Sequence, residues 1–327
     1  AIIGGRKIAD EYDPIGADSE FADFDLFVAG TPVEGLSEAF DLFWNDRWSV
    51  PLAALEEGDE TPLRQALVEF QANAAREEVE IYDRAINSVY LAQLRSGAAP
   101  IYSGTASVVV DNPEKLRNSP RTGPFVVGNT LYSLMNTAES EVLLLTPYFI
   151  PEDYGARFFS DLVQRGVRVR IVTNSLAATN HPYVHGAYSR YRSRLLEAGV
   201  EFLEVRADAT SIVEGLSAPL TMHSKFVVVD RKTMFVGSPN IDPRSIRQNA
   251  EIGMILESRE LAQDILNGVN ESATDYTFAL TQGEEGKTVW TYSAGERVET
   301  FTSEPGATFW DRFIATVSGW LPIESQL

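Results

Sequence analysis

The chain has 327 residues, 44% of them hydrophobic, which is enough to bury one large core or two smaller ones. Its 27 basic and 47 acidic residues give a formal net charge of -20, a field that repels phosphate backbones and disfavours nucleic-acid binding. Cysteine is absent, which excludes disulfides and cysteine metal sites. No apolar run approaches the roughly 18 to 20 residues of a membrane span.

The segment before residue 104 is predicted to form short strands followed by helices. Residues 1–4 are apolar and residues 21–28 alternate apolar with acidic side chains, a pattern typical of strands. Residues 33–48 have helical spacing with one apolar face. A longer helical stretch begins at Thr61-Pro62, is interrupted near Glu80, and ends at Gly97.

The segment from residue 104 onward alternates strands with helices, which favours an α/β sheet covered by helices on its faces. The predicted strands are 106–110, 142–145, 167–173 and 200–205, and the helices are 125–139, one that runs through Leu162, and 186–198. Ligands of such sheets lie beyond the strand ends, so Tyr148, Asn174 and His185 are candidate pocket residues. Each of the three could equally be a packing residue.

A hairpin over Met222–Asn240 carries the strongest chemical signal. The β-branched run before Asp230 predicts one strand, residues 230–232 a turn, and Thr233–Val236 a second strand that ends in a Gly-Ser turn. Side chains alternate along a strand, so His223 and Lys225 are predicted to emerge on the same face. The returning strand brings free N–H groups, a hydroxyl and an amide to the same place, which predicts a phosphate site with a nucleophile or proton carrier.

A solvated strand edge followed by an ordinary turn is the alternative, but six polar or glycine positions inside two apolar strands favour the functional interpretation. The pattern, His223-x-Lys225-x4-Asp230-x6-Gly237-Ser238-x-Asn240, resembles the signature of the phospholipase D superfamily. Residues 241–245 and 249–251 resemble the continuation of that signature. The resemblance implies cleavage or exchange of a phosphodiester through a phosphohistidine, with neither a metal nor another cofactor.

The resemblance also implies roles for individual residues. His223 would be the nucleophile or general acid, Lys225 and Asn240 would hold phosphate oxygens, and Ser238 would line the same site. Glu251 would orient and polarise the His223 ring, as a carboxylate does for a catalytic imidazole.

Asp230 belongs to the catalytic signature, but its position at the turn favours a role in fixing the hairpin over one in touching substrate.

Four further strings, at 146–151, 173–178, 187–192 and 321–327, resemble the cardiolipin synthase C branch of the superfamily. That branch implies phosphatidyl transfer between glycerophospholipids, with a substrate of the phosphatidylglycerol or phosphatidylethanolamine type. It also implies a peripheral location at the bacterial inner membrane, on the cytoplasmic side. The implied fold is phospholipase D-like, a mixed sheet flanked by helices in two pseudo-symmetric lobes.

The first lobe is predicted to be incomplete. Gly4-Gly5-x-Lys7 resembles the tail of a first signature, with Lys7 in place of the expected Asn. Counting back 14 positions, the separation of His223 from Gly237, places the partner histidine before Ala1. We therefore predict a remnant of the first lobe at 1–103, a complete second lobe at 104–327, and completion of the site by a missing N-terminal segment or by a homodimer.

Two residues of the first lobe are further candidates for the pocket. Gly5 lies in the partial signature, and Asp25 falls near the position that Glu251 has in the second copy. Asp25 could orient the missing histidine or be an ordinary surface acid.

Three functions remain open: a phosphatidyltransferase or hydrolytic phospholipase D, a nuclease, and a catalytically incomplete lipid-binding piece. Two features could contact a membrane. The arginine-rich stretch 157–194 is either a headgroup-facing patch or a set of scattered, solvated arginines. The apolar face of a helix over 309–321 could lie in a membrane interface, although docking on the protein core is the favoured interpretation.

Overall fold

The computed structural model describes residues 1–7, 20–55, 63–72, 86–212, 220–295, 297–321 and 324–327. This part of the chain divides into two compact units, one formed by residues 1–42 with 104–327 and the other by residues 43–103. The predicted division into two phospholipase D-like lobes at residue 103 stays a prediction.

The elements alternate as the sequence predicts, with ends that agree within a few residues. The helices are α1 (Pro32–Trp44), α2 (63–72), α3 (Val89–Ser96), α4 (Val126–Asn136), α5 (Glu152–Gln164), α6 (Pro182–Glu197), α7 (Pro243–Arg247), α8 (Arg259–Tyr276) and α9 (Phe309–Trp320). The strands are β1 (Ile2–Gly4), β2 (Glu20–Ala22), β3 (Asp25–Phe27), β4 (Thr105–Val110), β5 (Glu141–Leu145), β6 (Arg168–Asn174), β7 (Glu201–Val205), β8 (Leu220–Met222), β9 (Phe226–Val229), β10 (Thr233–Gly237), β11 (Ile252–Glu257), β12 (Thr277–Gln282), β13 (Thr288–Ala294) and β14 (Arg297–Phe301).

A ten-stranded mixed sheet forms the larger unit, in the order β14-β13-β12-β7-β6-β5-β9-β10-β11-β4. The neighbours β5, β6 and β7 are parallel, and the other pairs are antiparallel. This arrangement confirms the predicted α/β class and the mixed sheet flanked by helices.

Strand β5 shows why both faces of the sheet are covered. Val142 and Leu144 belong to one buried cluster with α4, α5 and α6, whereas Leu143 and Leu145 belong to a second cluster with α8. Successive side chains on a strand point to opposite faces, so a continuous apolar run such as this requires a hydrophobic layer on each side.

The predicted strand over residues 21–28 is broken in the structure. β2 pairs in parallel with β8, while β3 pairs antiparallel with β1. The break lies at Asp23 and Phe24, where the Asp23 carboxylate accepts a hydrogen bond of 2.9 Å from the Phe24 N–H. A side chain that bonds its neighbouring backbone competes with the strand ladder. The break turns Asp23 toward β8.

The predicted hairpin is β9 and β10, which pair antiparallel through Val229 and Thr233. Asp230 and Arg231 both have positive φ, 51° and 55°, the backbone that a tight hairpin turn requires. The Asp230 carboxylate accepts hydrogen bonds from the backbone N–H groups of residues 139, 140 and 141, at 2.8 to 2.9 Å. Asp230 therefore ties the hairpin to the start of β5, as its position at the turn predicts.

The smaller unit has little core of its own. Ala99 is the one buried residue in its described ranges, 43–55, 63–72 and 86–103. α3 is capped at its start by the Ser88 side chain and ends, as predicted, at Gly97, whose φ of 72° is left-handed. Thr61, Pro62 and Glu80, which the sequence places at the start and the interruption of a helix, lie outside the described residues.

Helix α9 exposes the apolar face that the sequence analysis expected to be buried against the core. Ser318 is its one buried residue, and its large apolar side chains face solvent. The favoured prediction, that this apolar face docks on the protein core, is therefore wrong. Among the described residues, no helix has both the length and the apolar character needed to cross a membrane.

Candidate active site

His223 lies directly after β8, where the parallel pairing with β2 brings the first strands of the chain against it. Its backbone N–H donates to the Ala22 carbonyl at 2.7 Å, and its Nδ1 lies 2.9 Å from Asp23 Oδ2. The Phe21 ring stacks on the imidazole at 4.8 Å with an interplanar angle of 7°. The hydrogen bond to Asp23 and the stacked Phe21 ring both help to fix the imidazole.

Lys225 projects onto the same imidazole, as the strand alternation predicts. Its Nζ lies 3.0 Å from His223 Nε2, 2.9 Å from Nδ1 and 2.6 Å from the His223 carbonyl oxygen. Because Nδ1–H donates to Asp23, Nε2 is left as the unprotonated nitrogen that faces the ammonium. An unprotonated ring nitrogen beside a cation is suited to attack an anionic phosphorus centre.

Burial lowers the pKa values of both Lys225 and His223. Burial lowers the pKa of the Lys225 ammonium to about 7, against the attraction of Asp23. Burial also lowers the pKa of His223, although the hydrogen bond to Asp23 opposes this shift. The positive charge of Lys7 lowers both pKa values further. The lowered pKa of His223 favours the neutral imidazole, the state a nucleophile requires.

The contacts of the Glu251 carboxylate correct the prediction that Glu251 orients the His223 ring. Glu251 accepts a short hydrogen bond from the Ser238 hydroxyl and one of 2.6 Å from the Ser245 hydroxyl. The described contacts of His223 assign the orienting carboxylate to Asp23 instead. The physical reason is the β2–β8 pairing, which places an acid from the start of the chain within bonding distance of the ring.

The backbone of Glu251 is fixed by a buried ion pair. Its backbone N–H donates to Asp111 Oδ2 at 3.1 Å, and Asp111 forms a fully buried pair of 2.7 Å with Lys115. Lys115 also donates to the Ser245 carbonyl at 3.1 Å. This buried pair fixes the backbone on which the Ser238 turn rests.

Asn240 follows the turn with one atom unsatisfied. Its backbone N–H donates to the Ser245 hydroxyl at 2.9 Å, while its side-chain Oδ1 is buried without a hydrogen-bond partner. Buried polar atoms are usually paired, so Oδ1 retains the capacity to accept a hydrogen bond, whereas a phosphate oxygen would have to be held by the donor group of this amide, Nδ2. The predicted role in holding a phosphate oxygen stays a prediction.

Of the candidates from the first strands, Gly5 lies in the site and Asp25 does not. A Cβ built on Gly5 would lie 3.0 Å from Lys225 Cδ and 3.3 Å from Asp23 Oδ1. Asp25 instead pairs with Arg6, 2.7 Å from its Nε. The Asp25 carboxylate is occupied by that ion pair, which corrects its placement in the pocket.

Tyr148 and Asn174, two of the candidate pocket residues at strand ends, differ in their contacts. Tyr148 stands edge-on to His223 at 6.5 Å, and its hydroxyl donates to Asn180 at 2.8 Å. Asn174 exchanges two hydrogen bonds of 2.9 Å with the backbone of Met222. Asn174 therefore supports the strand that carries His223, with its amide consumed by that strand rather than presented to a pocket.

His185, the third such residue, is packed elsewhere. Its Nε2 lies 3.4 Å from Glu304, and the Arg192 guanidinium pairs with both Glu204 and Glu304 at 3.0 and 2.8 Å. His185 is buried in this ion cluster on α6, which removes it from the candidate pocket. His185, Glu204 and Glu304 are grouped closely enough to hold a cation, but the Arg192 guanidinium already bonds to both carboxylates.

Asp230 is also removed from the site. Its carboxylate is occupied by residues 139–141 at the opposite end of β9 from Lys225. A catalytic role for Asp230 has no contact to support it among the described residues, whereas its structural role is confirmed by these bonds.

Comparison with known proteins shows which family model and which relatives this chain is similar to. Residues 131–271 match the family model described as cardiolipin synthase, PLD-like domain. Cardiolipin synthase C of Escherichia coli (strain K12) is 28% identical over 331 residues, which covers 99% of this chain and 70% of that protein. The chain is thus similar to the phospholipase D superfamily, as its motif predicts.

Two further proteins are similar to this chain, one in sequence and one in structure. An uncharacterized protein of Helicobacter pylori is 27% identical over 277 residues, 83% of this chain and 54% of that protein. The solved phosphatidylserine synthase of Haemophilus influenzae Rd KW20 is 12% identical with a TM-score of 0.56, covering 97% of this chain and 64% of that one. The structural likeness supports the predicted phospholipase D-like fold. The chain spans only part of the length of each of these proteins.

Asp23 is the site residue that sequence reasoning missed. The signal was the alternation Phe21-Ala22-Asp23, which puts Asp23 and Phe21 on one face of a strand. The sequence does not indicate that this strand pairs with β8. That pairing alone brings Asp23 to His223.

Proposed function

We propose that the protein is a phosphatidyltransferase of phospholipid metabolism, similar to cardiolipin synthase C, which cleaves and re-forms a phosphodiester at His223. The observation that carries the proposal is the His223 ring, whose Nδ1 lies 2.9 Å from Asp23 Oδ2 and whose Nε2 lies 3.0 Å from Lys225 Nζ. Similarity to a cardiolipin synthase over nearly the whole chain supports a phospholipid of the phosphatidylglycerol or phosphatidylethanolamine type.

In the proposed reaction, Nε2 forms a bond to phosphorus and the bond from phosphorus to the leaving alcohol breaks. The leaving alkoxide takes a proton from a second acid. Lys225 and Asn240 stabilise the charge on the phosphoryl oxygens. An acceptor alcohol then gives its proton to the second acid, which is now deprotonated, and attacks phosphorus, so that the bond from phosphorus to Nε2 breaks. A water in the same place would give phospholipase D hydrolysis.

The second acid is proposed to be a histidine from a preceding segment of the protein or from a second copy of this chain. Support comes from Gly5 and Asp23, which border Lys225 and His223 from the strands that resemble the tail of the first signature. A catalytically incomplete lipid-binding protein is the alternative if neither source supplies it.

The test is turnover of phosphatidylglycerol vesicles, with cardiolipin, glycerol and phosphatidic acid measured as products. His223→Asn should abolish turnover and the acid-labile phosphoryl adduct on the protein, because no other group replaces Nε2. A chelator should leave turnover unchanged, since histidine supplies the nucleophile. Full turnover by His223→Asn would reject the proposal.

Mixing wild type with His223→Asn tests the source of the second histidine. Activity should fall with the square of the wild-type fraction if two copies pair their His223 residues, and linearly if one polypeptide holds both acids. Native mass, compared with the mass after denaturation, provides the independent control. A linear fall in a dimer would exclude the paired arrangement.

A nuclease is the second superfamily activity considered, and the charge of -20 opposes it. Steep, salt-dependent binding of DNA by the purified protein would favour that alternative.

A further inference from the structure

Helix α9 is fixed on the larger unit through its small residues. A Cβ on Gly186 of α6 would lie 2.2 Å from the Ala315 carbonyl oxygen and 2.6 Å from Ser318 Oγ. Only glycine allows the two helix backbones to approach so closely. The reciprocal Thr308 and Asp311 capping box defines where α9 begins.

The opposite face of α9 is apolar and exposed. The exposed fractions reach 82% for Trp320, 74% for Phe309 and 66% for Trp310. Its seven large apolar residues are all at least 38% exposed: Phe309, Trp310, Phe313, Ile314, Val317, Trp320 and Leu321. We call these seven residues the α9 face. An amphipathic helix normally turns such a face toward its own core, so the reversed orientation requires another explanation.

The aromatic rings of the α9 face form a preassembled cluster. The ring centroids of Phe309, Trp310 and Phe313 lie 5.7 to 6.4 Å from one another. Side chains that contact each other lose less rotameric freedom when a partner covers them. Trp and Phe are also the residues that interfacial helices present to the boundary between headgroups and acyl chains.

Charge does not identify an anionic partner for this face. Both charged residues of α9 are engaged, Asp311 in the capping box and Arg312 with the Glu304 carbonyl at 2.8 Å. The partner of the α9 face must therefore be recognised by apolar contact.

The arginine-rich stretch is not available as a substitute headgroup-facing patch. Six of its seven arginines already bond to protein groups: Arg165 to Asn136, Arg168 to Glu201, Arg170 to Asn270, Arg190 to Glu324, Arg192 to Glu204 and Arg194 to Asp153. Arg170 and Arg192 are buried, so neither a headgroup-facing patch nor a set of scattered, solvated arginines describes the whole stretch.

Helix α6 connects the α9 face to the candidate active site. α6 starts after His181, whose ring lies 5.4 Å from Tyr148, and Tyr148 stands edge-on to His223. One turn further along α6, Gly186 receives α9. α9 thus packs on the helix whose first residues border Tyr148, the ring that contacts His223.

We propose that the α9 face docks the protein on a phospholipid bilayer by inserting Trp310, Phe313 and Trp320 into the interface. The choice of a bilayer over a second copy rests on the proposed function, because a phosphatidyl donor is held in a bilayer. Since apolar contact drives the docking, vesicles of zwitterionic phosphatidylcholine suffice and salt has little effect.

The test compares two triple variants in flotation with phosphatidylcholine vesicles, at low and high salt. The first carries Trp310→Ser, Phe313→Ser and Trp320→Ser. The matched control carries Leu42→Ser, Leu116→Ser and Val298→Ser, which remove three exposed apolar residues away from α9. The first variant should partition at least about tenfold more weakly than wild type, and the control should match wild type. Circular dichroism and thermal melts establish that both variants are folded.

Lipids brominated in their acyl chains provide a second measurement, because they should quench the fluorescence of Trp310 and Trp320 in the wild type. Unchanged flotation of the α9 variant would overturn the proposal. It would also be overturned if the α9 variant changed only the sedimentation mass, which would assign the face to a second copy. Binding that requires anionic lipid and disappears at high salt would equally reject docking by apolar contact.

Turnover separates this inference from the proposed function. A short-chain phosphatidylglycerol, dissolved as monomers, needs no interface, so the α9 variant should turn it over normally while losing turnover on vesicles. Loss of flotation in a protein that turns over neither lipid would leave the docking surface standing and reject the activity. Full turnover of vesicles by the α9 variant would reject the docking surface and leave the proposed activity standing.

Discussion

At the residue scale, Glu251, the carboxylate predicted to orient His223, and Asp23, which the sequence analysis missed, have different partners. Asp23 contacts the His223 ring, whereas Glu251 contacts the hydroxyls of Ser238 and Ser245. The carboxylate beside an imidazole selects its tautomer and stabilises the charge that develops on it. Asp23 is therefore expected to govern the reactivity of His223, and Glu251 to govern the shape of the turn.

Asp23→Asn should lower kcat by on the order of 10²- to 10⁴-fold, because the amide no longer stabilises a cationic imidazole and can favour the wrong tautomer. The matched control is Asp25→Asn, two residues away, whose partner is Arg6. Steady-state kinetics on phosphatidylglycerol measures both variants. Equal losses in the two variants would contradict the assignment of Asp23.

Lys225 should make stability depend on pH. Its folded pKa of about 7 lies below its ordinary value of 10.5, so unfolding takes up a proton between these limits. The destabilisation is fully present below the folded pKa and disappears as the pH rises through the ordinary value.

Lys225→Met should therefore raise the free energy of unfolding by roughly 2–4 kcal/mol near pH 6, with the gain vanishing above about pH 10. Chemical denaturation of wild type and variant across this range measures the difference, while turnover should be lost. A gain that does not change with pH would show that packing, rather than the buried ammonium, is responsible.

At the element scale, the two ends of the β9–β10 hairpin have different roles: one lies in the candidate active site and the other fixes the hairpin to the sheet. Lys225 and Ser238 belong to the end near His223, and Asp230 anchors the turn at the far end. Burial of Asp230 raises its pKa, but the hydrogen bonds from residues 139–141 outweigh this and lower it. The signature thus combines reactive residues with one that holds the hairpin in register.

Asp230→Ala should lower the free energy of unfolding by about 1–3 kcal/mol, since three backbone N–H groups lose a charged acceptor. Because the folded pKa is depressed, this contribution is present above the ordinary carboxyl pKa and lost as the pH falls through the folded value. Denaturation at neutral and acidic pH measures it, with exposed Lys232→Ala as the control. A loss of turnover in fully folded Asp230→Ala would instead restore a catalytic role.

At the scale of the whole molecule, buried ion pairs hold the distant parts of the larger unit together. Arg192 of α6 bonds to Glu204 of β7 and to Glu304, and the Glu304 carbonyl accepts from Arg312 of α9. The attraction of Glu204 and Glu304 outweighs burial and raises the pKa of Arg192. Burial raises the pKa of Glu304, but the attraction of His185 and Arg192 outweighs it and lowers this pKa to about 2. Sheet, helix and C-terminal helix thereby share one buried cluster.

Arg192→Met should cost about 3–5 kcal/mol of stability, because two carboxylates remain without their cation. Arg194→Met, two residues away, removes an exposed pair with Asp153 and should cost no more than about 1 kcal/mol. Thermal and chemical denaturation measure both. Similar costs would show that the cluster is not a source of stability.

The local pattern of the sequence determined the alternation of strands and helices, the hairpin, and the convergence of His223 with Lys225, because side-chain direction follows directly from the period of a strand. Contacts between distant segments were decided only by the tertiary structure. The β2–β8 pairing chose Asp23 over Glu251, ion pairing withdrew His185 and Asp25 from the pocket, and Gly186 turned α9 with its apolar face outward. Each of these depends on which elements meet, and periodicity along one segment carries no information about its partner.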